Sequence, residues 1–313
     1  MAPEDGKALT PFPCRVSIET VGSCNARCTF CPHPVLDKNS WHEDMPDDIY
    51  QAILQQCQGR AELESVTLSF QNEPLMDPRL DARILAARDY LPNVNIGIVT
   101  NASLLRGKRL QRLMDAPPDF IKMSVSSIDQ DEYEAAMVGL RHSNVMKNIL
   151  TVRDWAEERD GKPHLIINCV YPIAGTRRSL REIKDFWRSR RLQLHVINLE
   201  NRGGFFSAEQ MNIMTSSPRH ARDWCKRPEE QLSVWPNGDV ALCCADWTKS
   251  AIVGNVLESS LAEIWDGAPI RRYRAALRGG RGDTVSPCNT CNQAQIDFEG
   301  RVFINAGDLA ERI

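Results

Sequence analysis

The sequence predicts an α/β fold built on a parallel sheet, and three observations carry that expectation. Short β-rich apolar runs alternate with longer amphipathic ones through the first two thirds of the chain. Six strands alternating with helices imply parallel strands joined by right-handed crossovers, either doubly wound or as a partial barrel. After Asn198 the pattern changes to a loop-rich connector, a hairpin and two short helices. A boundary is therefore expected near residue 200, dividing the chain into residues 1–200 and 201–313.

The strands are expected at Cys14–Thr20 (CRVSIET), Ser65–Phe70, Val94–Thr100, Phe120–Ser126, His164–Tyr171 and Gln193–Asn198, each rich in β-branched residues and bounded by polar or turn residues. Helical patterns lie between them, for instance at Asp47–Cys57, PRLDARILAARDYL, KRLQRLMDA and RSLREIKDFWRSR. In the last third, LSVWPNGDVALCC reads as a hairpin turning at Asn237-Gly238. Helices around SSLAEIWDG and PIRRYRAALRGG follow, and PCNTCN closes a set of cysteines. The chain shows no repeats at solenoid periods and no low-complexity segments.

Composition narrows the class. A chain of 313 residues, 42% hydrophobic and 25% charged, can bury a sizeable core. A formal charge of -3 gives no reason to expect nucleic acid as a partner. No apolar run approaches the roughly 18 residues a membrane span requires. The start, MAPEDGKALTPFP, lacks the basic flank and apolar centre of a signal peptide, so a cytoplasmic location is expected. Reducing conditions there disfavour a disulfide framework for the eleven cysteines, which leaves metal or redox chemistry to explain them.

Three cysteines, Cys24, Cys28 and Cys31, form a CxxxCxxC motif just after the first strand, with no fourth nearby. Thiolates hold iron–sulfur clusters, ordinarily four to a 4Fe-4S cube. Three would leave one iron open to an outside ligand. A structural zinc site completed by His33 satisfies the same spacing.

With QNEPLMDP, VTNAS and SVSSID following CxxxCxxC in order along the chain, the sequence resembles the radical S-adenosylmethionine (radical SAM) superfamily. The resemblance implies that the open iron chelates the amino and carboxylate groups of SAM, and that cleavage of SAM yields a 5′-deoxyadenosyl radical. It implies that Phe30, before the last cysteine, packs near adenine. QNEPLMDP resembles the family's GGEP segment and places Glu73 on the SAM amino group, with Asn72 beside it and Gln71 and Asn72 standing where glycines are usual. VTNAS, with Asn101, resembles the TNG segment, and SVSSID implies contacts from Ser124 or Ser126. The fold this resemblance implies is a partial (β/α)6 TIM-like barrel.

Cys225, Cys243, Cys288 and Cys291 are spaced by 18, 45 and 3 residues. With NGDVALCCADW, VGN, EIW and CNTC in order, the segment resembles a twitch domain, the shortened SPASM form, which implies one auxiliary 4Fe-4S cluster. A zinc ribbon tolerates the same spacing. Alternation along a strand would turn Cys244 away from Cys243. Cys57 and Cys14 read as core filling. Cys169, near the end of the fifth strand, and Cys244 are candidate hydrogen-atom donors. Arg202, in NRGG, has a donor fork suited to substrate hydroxyls or carboxylates and an ion pair as its plain alternative. NRGG resembles a segment of twitch enzymes that oxidise an aminocyclitol alcohol.

The resemblance implies hydrogen abstraction from a hydroxyl-bearing carbon of a sugar or aminocyclitol, with dehydrogenation to a ketone and the auxiliary cluster as electron acceptor, in aminoglycoside-type biosynthesis. Epimerisation using Cys169 or Cys244, modification of a peptide, and a non-enzymatic iron–sulfur or zinc protein are the alternatives. A reducing protein such as flavodoxin or ferredoxin is the expected partner. Glu200, His195 and Tyr171 are candidate proton acceptors.

Overall fold

The computed structural model describes residues 9–36, 44–197, 199–207, 209–211, 225–292 and 303–304. Of the connector expected after Asn198, residues 208 and 212–224 lie outside these, as does Asn198 itself.

Six strands form the centre: β1 (Arg15–Ile18), β2 (Ser65–Thr67), β3 (Asn95–Thr100), β4 (Phe120–Ser124), β5 (His164–Val170) and β6 (Gln193–Ile197). They pair in parallel and in chain order. A doubly wound sheet reverses its order at a switch point. This sheet does not, so successive right-handed crossovers stay on one face and the arrangement is barrel-like.

The two faces of the sheet differ. Ile96, Ile98, Ile121, Met123, Ile167, Leu194 and Val196 join the core that includes Ile84, Val145, Ile149 and Ile183 from the helices. Those helix residues lie on α2 (Leu80–Tyr90), α5 (His142–Glu157) and α6 (Leu180–Arg188); α1 (Asp47–Cys57), α3 (Gly107–Asp115) and α4 (Gln130–Ala136) complete the first six. The opposite face carries Lys122, Ser124, Asn168 and His195, all partly exposed. Local chemistry marks the start of some of these helices. Asp47 and Asp48 occupy the first turn of α1, where acidic groups suit the dipole, and Ser179 and Glu182 form a reciprocal capping box on α6.

The C-terminal third extends this sheet. β7 (Gln231–Val234) runs parallel to β1, pairing Val16 with Leu232, and β8 (Asp239–Ala241) and β9 (Ile252–Asn255) follow antiparallel. At the other edge, β10 (Phe303–Ile304) pairs antiparallel with β6. The sheet therefore continues through the expected boundary near residue 200. Helices α7 (Arg227–Glu230), α8 (Leu261–Trp265) and α9 (Ala268–Arg278) accompany the hairpin. Trp265 Nε1 donates to the Thr10 carbonyl at 2.7 Å, tying α8 to the start of the chain.

Strand ends differ from the sequence pattern. The run at Ser65–Phe70 leaves the ladder after Thr67, because the Phe70 amide turns to Asn72 Oδ1 at 2.9 Å and Pro74 opens a 3-10 turn. The hairpin strand stops at Ala241, so Cys243 and Cys244 lie in a turn. The expectation that a strand turns their side chains to opposite faces is thereby corrected. The buried Asp246 carboxylate causes the turn, accepting from Thr248, Ser250 and the amides of Ser250 and Ala251.

Candidate active site

The loop after β1 carries the first cysteines. Arg27–Cys28 pairs antiparallel with Met137–Val138, and the Cys31 amide turns back to the Cys28 carbonyl at 3.2 Å. Burial pushes the Cys28 thiol up, with Cys31 and Cys24 adding to the effect, so the three sulfurs sense one another. None of the eleven cysteines is in a disulfide. Among the described residues no three His, Cys, Asp or Glu side chains close around a single ion. A cube spreads its thiolates over separate irons, and three mutually sensed thiols on one loop fit that donor set. His33, the fourth ligand of the zinc reading, places Nε2 3.3 Å from the Gly22 carbonyl inside the loop.

Beside this loop the segment after β2 presents Glu73, which is 1% exposed. Its Oε1 accepts from Thr100 Oγ1 at 2.6 Å and from the Leu75 amide at 3.1 Å; Oε2 accepts from the Asn101 amide at 2.7 Å. A carboxylate has about four acceptor sites, so capacity is left for an ammonium group. Burial raises Glu73 to about 7, against the lowering effect of those donors. Asn72 Nδ2 and Ser126 Oγ are buried without a hydrogen-bond partner, a state natural proteins avoid unless something else supplies it. Both fit contacts with a bound cofactor. Ser124 stands on the polar face, level with Asn168 and His195 across β5 and β6. Asn101 instead spends its side chain on protein, giving Nδ2 to Asn25 and taking Ser103 on Oδ1. It braces the cysteine loop. Phe30 is buried and packs into the core, and its carbonyl accepts from Arg202 Nε at 3.5 Å.

The second set is assembled around NRGG. Asn201 Nδ2 donates to the Thr290 carbonyl at 2.6 Å, while the Asn201 amide donates to Asn292 Oδ1 at 2.8 Å, clamping the Cys288–Cys291 turn. Gly203 and Gly204 have positive φ, and a Cβ on them would sit 2.5 Å from the Ala245 carbonyl oxygen and 1.9 Å from Thr290 Oγ1. Glycine is required by both conformation and space. The neighbouring Cys243 and Cys244 thiols affect each other, raising Cys243 and lowering Cys244; Arg227 favours both thiolates, and Cys225 lies near enough to raise Cys243. Gln231 Nε2 reaches Cys244 Sγ at 3.4 Å.

Arg202 does form the ion pair that sequence left open, with Glu200 at 2.8 Å. Cys169 is fully buried in the helix-facing core, its thiol directed to the Ser126 carbonyl at 3.7 Å and pushed up to about 12 by burial. It stands on the opposite face from Asn168, where it packs in the core. Glu200 is paired with two arginines and held below the usual carboxylate range despite its burial, which makes it a poor proton acceptor.

Sequence reasoning missed Glu19, the second function of Gln71, and Arg227. Glu19 is buried at the end of β1 and accepts from the Gln71 amide at 2.8 Å; burial raises it to about 8. A lone acid at the end of an apolar strand, five residues before Cys24, was the available signal. Gln71, in a glycine position of the GGEP-like segment, reaches the Asp246 carbonyl at 3.1 Å and accepts from Trp235 Nε1 at 3.4 Å.

Among the described residues no helix is long and apolar enough to cross a membrane. The signature of the Radical SAM superfamily matches residues 18–155, and that of SPASM, an iron-sulfur cluster-binding domain, matches residues 225–292. The chain is 22% identical over 284 residues to the S-adenosyl-L-methionine-dependent 2-deoxy-scyllo-inosamine dehydrogenase of Niallia circulans, covering 91% of this chain and 94% of that one. It is 25% identical to the PqqA peptide cyclase of Granulibacter bethesdensis, over 93% of this chain and 83% of the cyclase. In fold it matches BtrN in complex with AdoMet and 2-DOIA, with a TM-score of 0.64 and 18% identity over 94% of this chain and 98% of that one. It also matches Streptococcus suis SuiB bound to precursor peptide SuiA, with a TM-score of 0.65 and 18% identity over 92% and 71%. The chain thus carries the radical SAM domain of an S-adenosylmethionine-dependent enzyme at residues 18–155 and an SPASM iron-sulfur cluster-binding domain at residues 225–292.

Proposed function

We propose that this enzyme dehydrogenates a hydroxyl-bearing carbon of an aminocyclitol or sugar in natural-product biosynthesis. The observation that carries the reading is the near end-to-end match to an aminocyclitol dehydrogenase, 91% of one chain against 94% of the other. The NRGG loop braced against the Cys288–Cys291 turn agrees with it. Cys24, Cys28 and Cys31 are assigned to the SAM-binding cluster, and Cys225, Cys243, Cys288 and Cys291 to one auxiliary cluster. When bound, SAM and its cluster would supply the radical chemistry that removes a carbinol hydrogen, and the auxiliary cluster would serve as acceptor for the electron released as the hydroxyl gives up its proton.

The chain's own residues position and protect these events. Glu73, Asn72 and Ser126 provide the acceptor and the unpaired donors that hold SAM, and Ser124 lines the same face. His195, whose Nδ1 meets Asn168 Oδ1 at 3.0 Å on that face, is the proposed proton acceptor, since Glu200 is committed to its arginines. A flavodoxin- or ferredoxin-type protein is the proposed reductant.

A second reading keeps its own support: the peptide cyclase is 25% identical, slightly above the dehydrogenase. One experiment separates them. Reconstituted enzyme, SAM and a strong reductant are incubated under anaerobic conditions with a panel of aminocyclitols and sugars, and separately with short peptides. Ketone formation matched by 5′-deoxyadenosine supports dehydrogenation. An inverted carbinol would mean epimerisation, and turnover of peptides alone would replace the carbohydrate reading. Cys169→Ala should leave the product unchanged, costing about 1–2 kcal/mol of stability through the small cavity.

A further inference from the structure

We propose that Arg202, Glu200 and Arg227 form a charge bridge between the two cluster sites, with Glu200 as the positioning residue at its centre. Glu200 divides its carboxylate: Oε1 accepts from Arg202 at 2.8 Å and Oε2 from Arg227 at 3.3 Å. The guanidiniums then diverge. Arg202 Nε donates to the Phe30 carbonyl at 3.5 Å, inside the CxxxCxxC loop, and the charge of Arg202 favours the Cys28 thiolate. Arg227 points at Cys243 Sγ, 3.8 Å away.

An ion pair serving stability alone would need one arginine, because each further buried charge is costly to desolvate. Here two are kept, and each spends a donor on a different cysteine segment. Arg202 is also held at φ 53°, a conformation that a non-glycine residue adopts only when its surroundings impose it. The bridge carries one net positive charge beside both thiolate sets. Positive charge and N–H donation to sulfur both favour a cluster's reduced state. The shared carboxylate couples the sites, because moving one guanidinium changes what holds the other.

The proposal rests on the assignment of both cysteine sets as cluster sites, and the test separates the two. Wild type, Arg227→Gln, Glu200→Gln and Glu200→Asp are reconstituted, their iron is counted, and each cluster is titrated by EPR-monitored reduction; melting of the apoproteins is followed in parallel. Arg227→Gln should disfavour reduction of the auxiliary cluster about tenfold, about 59 mV for one electron, and shift the SAM-binding cluster less, through Glu200 and Arg202. Glu200→Gln should alter the signals of both clusters, and Glu200→Asp should restore part of the change. Both clusters present with unchanged potentials, even if melting falls, would overturn the bridge and leave the cluster assignment standing. Only about four irons in the wild type would remove the assignment and the proposal together. Should one variant fail to fold, the other carries the test, since they break different parts of the bridge.

Discussion

Glu73 and Glu19 are the two buried acids beside the cysteine loop, and both hold protons more tightly in the folded chain. Burial raises Glu73 to about 7 and Glu19 to about 8, with hydrogen bonds, and Lys249 in the case of Glu19, opposing the rise. Unfolded, each returns to about 4.3. Between those limits the native state binds more protons, so the contribution to stability is full at low pH and lost as pH rises. Relative to wild type, Glu73→Gln and Glu19→Gln apoproteins should lose less stability between about pH 5 and about pH 8, by on the order of 1 kcal/mol per pH unit in the steepest part. Thermal melting across that range checks it, and identical slopes would mean that neither acid titrates in the window. The difference from wild type is the proper readout, because Glu200 and His142 are shifted downward. A cationic amino group beside Glu73 would favour its carboxylate, which links this titration to SAM. Glu73 and the cysteines stand out in sequence as candidates because the chemistry assigned to them demands fixed residue types at short spacing. Glu19 and Arg227 were not, since their partners come from distant segments: Gln71 lies 52 residues from Glu19, and Glu200 lies 27 from Arg227.

At the scale of elements, all six parallel strands were legible from their apolar runs, and α1 was legible to the residue. The ends of strands were less so, because side-chain hydrogen bonds set them: Asn72 draws Phe70 out of the ladder, and Asp246 folds the chain after β8. The pairing of β7 with β1 left no trace in local pattern either, and Gln71 fastens that seam. Its Nε2 reaches the carbonyls of Asp246 and Cys244, at 3.1 and 3.5 Å. Gln71→Ala leaves these groups and the Trp235 indole without their partner, at about 1–3 kcal/mol. Hydrogen exchange should then accelerate locally, across residues 243–251, while β2 to β5 keep their protection. Acceleration spread evenly over the sheet would mean that the seam is not an independent unit.

Over the whole molecule, pairing β7 to β1 brings together cysteine sets that are about two hundred residues apart in sequence, and this arrangement predicts how iron is lost. Each cube depends on its own thiolates, so removing one from the four-cysteine set should release that cluster alone. Cys225→Ala or Cys288→Ala should therefore fall from about eight irons to about four and still cleave SAM, whereas Cys28→Ala should lose a similar amount of iron and all cleavage. Iron and sulfide per chain, with 5′-deoxyadenosine as the second readout, check this. The turn after β8 adds a finer question, because the strand ends at Ala241 and no alternation fixes which of Cys243 and Cys244 faces the set. The single alanine variant that loses iron identifies the ligand. If each single variant keeps its cluster and the double variant loses it, either sulfur can serve. If even the double variant keeps about eight irons, neither is a ligand and the fourth thiolate must come from elsewhere in the chain.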